Sequence, residues 1–275
     1  MKNILTVDLE EWFHANYEDG LFDPNKNYEV RVIDSTHKLL QDFEDHNAKA
    51  TFFVLGYIAE KHPDLVREIK KRGHEIATHG YNHQLVYKET KEEFKEEVKK
   101  AKEIVEDTIG APIKGFRAPS WSIMDKSKWA WEVLEGLGFK YDASVFPIKL
   151  SLYGMPSSPR FMYTPEYNGR KLNIKEVPAS TYRFFGKNIP FSGGAYLRAL
   201  PCSMVLHGIK VLNNKEKEPA VVYIHPREID PGQPRLNLKF KDALIHYTGI
   251  KGNEKKLVKI LEKFQFTSIE DFYKI

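Results

Sequence analysis

The sequence predicts an α/β chain built on parallel strands, a closed or nearly closed βα barrel. Three observations carry this. Seven short apolar, β-branched runs punctuate the chain, and most gaps between them show helical periodicity. At 275 residues the chain has room for one large domain, or two small ones, with a substantial core. The runs fall at 4–7, 50–55, 75–78, 115–117, 141–145, 174–177 and 220–224. Strands separated by helices imply right-handed parallel crossovers. An open doubly wound sheet is the alternative. No G-x-G-x-x-G or P-loop pattern follows a strand, so dinucleotide and nucleoside triphosphate readings lose ground.

The intervening helices are read in turn. Residues 31–46 place Val32, Leu39, Leu40 and Phe43 on one stripe. Residues 63–72 open on Pro63 and end before Gly73, the usual start and stop asymmetry. Residues 90–109 align Phe94, Val98, Ala101, Val105 and Ile109, with Thr90 and Glu93 as a capping box. Residues 126–137 stop at Gly138, and 255–264 form a last helix. Residues 146–170, rich in Pro, Ser, Gly and Tyr, read as a long loop. So do 182–200, which hold Gly193-Gly194.

Composition narrows the class. Apolar residues at 41% and charged residues at 29% are ordinary globular usage, which excludes a disordered, collagen-like or coiled-coil chain. Lys+Arg 42 against Asp+Glu 38 leaves +4, too diffuse to argue for nucleic acid. The lone Cys202 excludes an internal disulfide and reads as a small packing residue. A short apolar run before Asp8, and no later run near ~18 residues, predict no signal peptide, no membrane span and a cytoplasmic protein. Aromatics at 13% suit a core and also a sugar-stacking cleft.

In βα barrels chemistry sits where strands end. The first run ends in Asp8-Leu9-Glu10-Glu11, and a continuing strand turns Asp8 and Glu10 to the same side. Adjacent carboxylates raise each other's pKa unless a cation neutralises them. After the third run come His79 and His83, four apart, a spacing that shares one face of a helical turn. With a carboxylate from the first strand they make two imidazoles and one carboxylate, a metal-ligand set with open positions. Arg117, near Pro119, can orient a carboxylate or hold a substrate oxygen. His225 ends the last run and is a candidate general acid. Each has a bland alternative alone: a solvated strand end, a satisfied core His, a surface Arg. Together they put chemistry on four strand ends.

The motifs are Thr6 to His14, His79-Gly80-Tyr81-Asn82-His83, Arg117-Ala118-Pro119-Ser120, Tyr141-Asp142-Ala143-Ser144 and Tyr223-Ile224-His225-Pro226, with Pro190 to Arg198 and His246-Tyr247 beside them. In these the chain resembles the polysaccharide deacetylases of the NodB-homology class, carbohydrate esterase family 4, and within it the branch tied to exopolysaccharide clusters. The resemblance implies a distorted (β/α)7 TIM-like barrel, a single domain over residues 1–275 with long loop insertions and a C-terminal extension from about 185 packed on the barrel. It implies metal-dependent removal of N-acetyl or O-acetyl groups from a sugar or polysaccharide. The class shows an Asp-Asp pair in its first motif, one the base and the next a metal ligand. Here Leu9 takes the second place, so Asp8 maps onto the base, and Glu10 is expected on the metal from its Asp-x-Glu spacing. His79 and His83 complete the metal set. The ion is expected to be Zn2+, with Co2+, Ni2+ or Fe2+ as alternatives. Further expectations make His225 the acid, Arg117 the orienter of Asp8, and Glu176 or Asp142 the orienter of His225. Trp121, Tyr81, Pro119 and His14 are expected to line the substrate cleft. Two other readings stand beside this one: an allantoinase-like amidase acting on another C–N bond, and a carbohydrate-binding protein without catalysis.

Overall fold

The computed structural model describes residues 1–16, 27–150 and 153–275, so residues 151–152 of the expected 146–170 loop lie outside the description. Each of the seven apolar runs holds one strand: β1 (Lys2–Leu9), β2 (Thr51–Val54), β3 (Glu75–Thr78), β4 (Gly115–Phe116), β5 (Tyr141–Asp142), β6 (Lys175–Glu176) and β7 (Val221–Ile224). Their order is β7-β1-β2-β3-β4-β5-β6, every pair parallel. A further strand, β8 (Gln265–Thr267), runs parallel to the first residues of β1.

The sheet curls into a half-barrel. Among the described residues β6 and β7 do not pair, and chain between them fills the seam. The Val221 amide donates to Ser180 Oγ at 2.8 Å. The Tyr223 amide donates to the Ser192 carbonyl at 3.0 Å, and Ser192 Oγ to the Ser180 carbonyl at 3.0 Å. Gly193 serves this seam: a Cβ there would lie 2.2 Å from the Tyr223 ring.

Period-2 alternation sorts the side chains. Ile4, Phe53, Ala77, Tyr141, Val177 and Val221 fill the barrel interior. Leu5, Val7, Leu9, Phe52, Val54, Ile76, Val222 and Ile224 turn outward against the helices. Each such burial stabilises by about 1.5–3 kcal/mol. The parity also decides the site: Ile4, Thr6 and Asp8 share the inner face, as do Ala77 with His79 and Tyr223 with His225.

The expected helices appear as Val32–Asp45, Pro63–Lys71, Lys91–Ile109, Trp129–Gly136 and Asn253–Lys263. Thr90 and Glu93 close the capping box as the sequence predicts. The first helix lacks a cap from its own N-cap residue Arg31. Glu11 replaces it: its Oε1 accepts from the amides of Arg31 at 2.9 Å and Val32 at 3.0 Å. One reading is corrected. Residues 182–200 are not irregular; they hold a hairpin, Thr181–Phe184 with Lys187–Pro190, and a helix, Gly194–Ala199. Phe185 and Gly186, at φ 45° and 77°, make the tight turn.

On the outer face, Asp142 and Glu176 are register partners across β5 and β6. Trp131 Nε1 donates to Asp142 Oδ2 at 2.8 Å and to Glu176 Oε2 at 3.3 Å. Burial first, then the Asp142 charge, pushes the Glu176 carboxyl well above its ordinary value. A carboxyl raised on folding favours the folded state below its unfolded value of 4.5 and loses that contribution as pH climbs toward the folded value. Glu176→Gln is therefore expected to match wild type at pH 4 and to gain stability relative to it as pH rises. Denaturant midpoints at two pH values read this; a variant that weakens more at pH 8 than at pH 4 refutes it.

Candidate active site

Asp8, Glu10, His79, His83 and Arg117 are all buried, gathered at the C-terminal ends of β1, β3 and β4. Arg117 Nη1 reaches Asp8 Oδ1 at 2.7 Å and Thr6 Oγ1 at 2.8 Å, while its Nε donates to the Ala143 carbonyl at 2.9 Å. Its guanidinium lies 4.1 Å from the Phe53 ring centroid and 4.7 Å from that of Trp121. Such a clamp fixes one carboxylate oxygen and leaves Oδ2 directed at His225 Nε2, 3.6 Å away.

His79 continues the inward parity of β3. Its Nδ1 donates to the Arg117 carbonyl at 2.7 Å, since a carbonyl can only accept. Nε2 is thereby left as a lone pair. Burial, opposed by Asp8, pushes His79 down to about 4, so it is neutral at pH 7. The His79 to His83 segment is not helical, contrary to the spacing argument. Gly80 at φ 78° and His83 at φ 59° fold it into a loop that brings the two rings to 5.3 Å. Glu97, from the helix Lys91–Ile109, accepts from the Tyr81 amide and, at 3.2 Å, from the Asn82 amide.

Ligand atoms of Glu10, His79 and His83 all lie within 4.8 Å of one another. Glu10 Oε2 is 2.7 Å from His83 Nε2, yet this buried oxygen has no aligned hydrogen bond. Two lone-pair donors aimed at one point leave that signature. Asn16 Nδ2 lies 3.0 Å from His83 Nδ1 and also donates to the His83 carbonyl at 3.4 Å and to Ser120 Oγ at 3.1 Å, which holds that ring in place. Burial opposes the Glu10 charge, but His83, His225 and Arg227 outweigh it and hold the carboxyl well below its ordinary value. The donor set fits a divalent ion of zinc type.

His225 follows β7. Its Nε2 is 3.6 Å from both Asp8 Oδ2 and Glu10 Oε1. The carboxylate on its other nitrogen is Glu228, Oε2 to Nδ1 at 3.1 Å, and Arg198 Nε holds Glu228 Oε1 at 2.7 Å. This corrects the expectation that Glu176 or Asp142 orients His225: both face outward, bonded to Trp131. Burial works against a charged His225, but Glu10, Glu228 and Asp8 overcome it and raise the imidazole above 6.5.

The expected cleft residues divide. Tyr81 turns away, its hydroxyl on Glu60 Oε2 at 2.8 Å and Lys100 Nζ 3.4 Å over its ring. Trp121 is buried, packed on Arg117, Tyr223 and Phe146, which leaves its faces no room to stack a sugar. Pro119 is buried and starts a turn in which Ser120 and Trp121 take φ 50° and 54°. That backbone is strained by about 1–3 kcal/mol per residue. His14 is buried beside the cluster, its ring 6.2 Å from His83, and accepts from the Glu11 amide at 3.0 Å. The sequence reading missed Glu228, Arg198, Asn16 and Glu11. Glu228 had a signal, since His225-Pro226-Arg227-Glu228 reads as a helix start with Glu at its third position.

The parallel half-barrel and its strand-end carboxylate, imidazole and guanidinium groups define a βα-barrel protein with a hydrolase-type site. Residues 20–141 match the model of the polysaccharide deacetylase family, and residues 143–274 match that of a domain of unknown function, DUF3473. The likeness to the polysaccharide deacetylase family lies in the first segment, residues 20–141. Asp8 and Glu10 precede that segment, and Arg198, His225 and Glu228 lie in the second. A peptidoglycan-N-acetylglucosamine deacetylase of Bacillus cereus is 38% identical over 101 residues, 36% of this chain and 37% of the relative. A peptidoglycan deacetylase of Helicobacter pylori is 27% identical over 156 residues, 53% of this chain and 52% of the relative. The chain thus spans about half or less of the curated relatives it matches. A solved structure from Mycobacterium smegmatis, described as a polysaccharide deacetylase, shares the fold with TM-score 0.57 and 19% identity, covering 87% of this chain and 76% of that one. Among the described residues no helix is long and apolar enough to cross a membrane.

Proposed function

We propose that the chain is a metal-dependent deacetylase that removes the acetyl group from an acetylated amino sugar, free or in a polysaccharide such as peptidoglycan, and that residues 1–275 work as one domain. The observation that carries this is the convergence of Asp8, Glu10, His79, His83, Arg117 and His225 at one end of one barrel. Strands from both family segments supply it, which supports a single domain.

Glu10, His79 and His83 would hold the ion, and zinc fits that set best. Bound there, a divalent ion supplies Lewis-acid polarisation of the acetyl carbonyl and a lowered pKa for water. Asp8 takes the proton of the attacking water through Oδ2, while Arg117 holds Oδ1 and fixes the carboxylate plane. His225, its imidazole raised above its ordinary value by Glu10, Glu228 and Asp8, gives its Nε2 proton to the leaving nitrogen. Glu228 on Nδ1 keeps that ring in register and in its protonated form. At 3.6 Å from one another, Asp8 Oδ2 and His225 Nε2 are close enough for base and acid to act on one small reacting group beside them.

The test combines metal content with acetate release. Wild type is expected to bind one divalent ion per chain and to release acetate from acetylated glucosamine oligomers or peptidoglycan fragments. His79→Ala is expected to lose both together. Acetate release that survives in the metal-free variant would reject the metal role. Hydrolysis of small ring amides, with none of the acetylated sugars, would favour the amidase alternative.

A further inference from the structure

Arg227 is a second cation at the reaction centre that the mechanism does not use. It lies on the short turn Pro226–Ile229 that follows His225. Its Nε is 3.7 Å from Glu10 Oε1, the same oxygen that His225 Nε2 approaches at 3.6 Å. Nε and Nη1 are both buried, and among the described residues neither makes a hydrogen bond. Two such donors left unpaired in a low-dielectric site are costly, so a partner from outside the chain is the economical account.

Glu10 is an ion-pair partner at 3.7 Å but lies beyond hydrogen-bond reach, and Glu228 is already bonded by His225 and by Arg198. The other guanidinium with a bare nitrogen, Arg117, is committed to Asp8, Thr6 and the Ala143 carbonyl. Arg227 Nε and Nη1 therefore keep hydrogen-bonding capacity that no described group of the chain uses. Guanidinium donors match carboxylate and phosphate oxygens.

Position names the part of the substrate involved. In the deacetylase reading, on which this inference rests, His225 faces the leaving nitrogen. Arg227 follows His225 by two residues on the same turn. In a 2-acetamido sugar the carbons beside the acetamido carbon carry the nearest substituents. We propose that Arg227 is a specificity-determining residue that takes an anionic group, carboxylate or phosphate, on one of those neighbouring carbons. The preferred substrate is then an acidic acetamido sugar rather than a neutral one.

Three probes separate the cases: N-acetylmuramic acid for the carboxylate, N-acetylglucosamine 1-phosphate for the phosphate, and neutral N-acetylglucosamine. Each is measured for binding by calorimetry and for acetate release, with wild type, Arg227→Gln and Arg227→Lys. Wild type should favour at least one acidic sugar over the neutral one by about 10- to 100-fold, the range for a charge-assisted hydrogen bond. Arg227→Gln should collapse that ratio through KM and affinity, and Arg227→Lys should restore part of it. Whichever acidic probe carries the preference identifies the group. A wild type without preference, or an Arg227→Gln that lowers kcat equally on all three, overturns the proposal. Binding preference without acetate release from any probe would leave Arg227's role standing and reject the deacetylase reading instead.

Discussion

Asp8→Asn is expected to lower kcat by about 10²- to 10⁴-fold, the usual worth of a positioned general base, while the bound divalent ion stays at one per chain. Asparagine keeps the size of the side chain and an oxygen for Arg117 Nη1, which now sits 2.7 Å from Asp8 Oδ1. It cannot accept the water proton. Glu10, His79 and His83 do not include Asp8, so metal content should not follow activity. The structure also names a cost of the substitution. Arg117 is fully buried, and its charge pairs with Asp8 alone among the described ion pairs. Removing one partner of a buried pair costs about 3–5 kcal/mol. The variant should therefore melt lower, and kcat must be read well below its melting range. Metal loss in parallel with activity would make Asp8 a ligand and reverse its role with Glu10. Retained turnover would remove it from the mechanism.

How the sequence carried this site is visible in the strand parity. Asp8 with Glu10, then His79, then His225 are legible because each continues an apolar run whose alternate residues face the interior. The same rule, applied to β5 and β6, rejects Asp142 and Glu176. Tyr141 and Val177 point inward, so their neighbours Asp142 and Glu176 point to the helices. The orienting carboxylate was instead three residues from the His it holds, inside a one-turn helix too short for periodicity to register. His79 and His83 do come together, but for a different reason than the spacing argument gave, since two left-handed residues rather than a helical turn join them. Arg198 closes the Pro190 to Arg198 motif, which gave it no stated role. It reaches Glu228 from the helix Gly194–Ala199, and its guanidinium also bonds the carbonyls of Ile245, His246 and Thr248 at the end of the helix Phe240–Tyr247. The hairpin of Glu166–Tyr167 with Arg170–Lys171 was missed inside the loop reading of 146–170: Asn168-Gly169 is a strong turn dipeptide, but its strands are two residues each, too short to stand out by pattern.

That Arg198–Glu228–His225 chain carries the other large expected effect. Glu228→Gln should lower kcat by about 10²-fold or more, since the acid's proton is spent in the transition state. It should also move the basic limb of the pH profile to lower pH. The sign follows from the causes on His225: burial lowers it, and Glu10, Glu228 and Asp8 raise it above 6.5. Its stabilising contribution is therefore complete below the unfolded value and is lost as pH rises through the folded one. Removing the Glu228 charge lowers the folded value, so His225 gives up its proton sooner. The substitution also strands Arg198, whose side chain is 2% exposed. Loss of fold could then mimic loss of the acid. The double variant Glu228→Gln, Arg198→Met removes both charges and relieves that burial cost. If it refolds with the basic limb still displaced and kcat still low, the carboxylate acts on His225. If kcat and the limb return with stability, Glu228 is only a partner for Arg198, and the general acid holds its proton without help from the C-terminal segment.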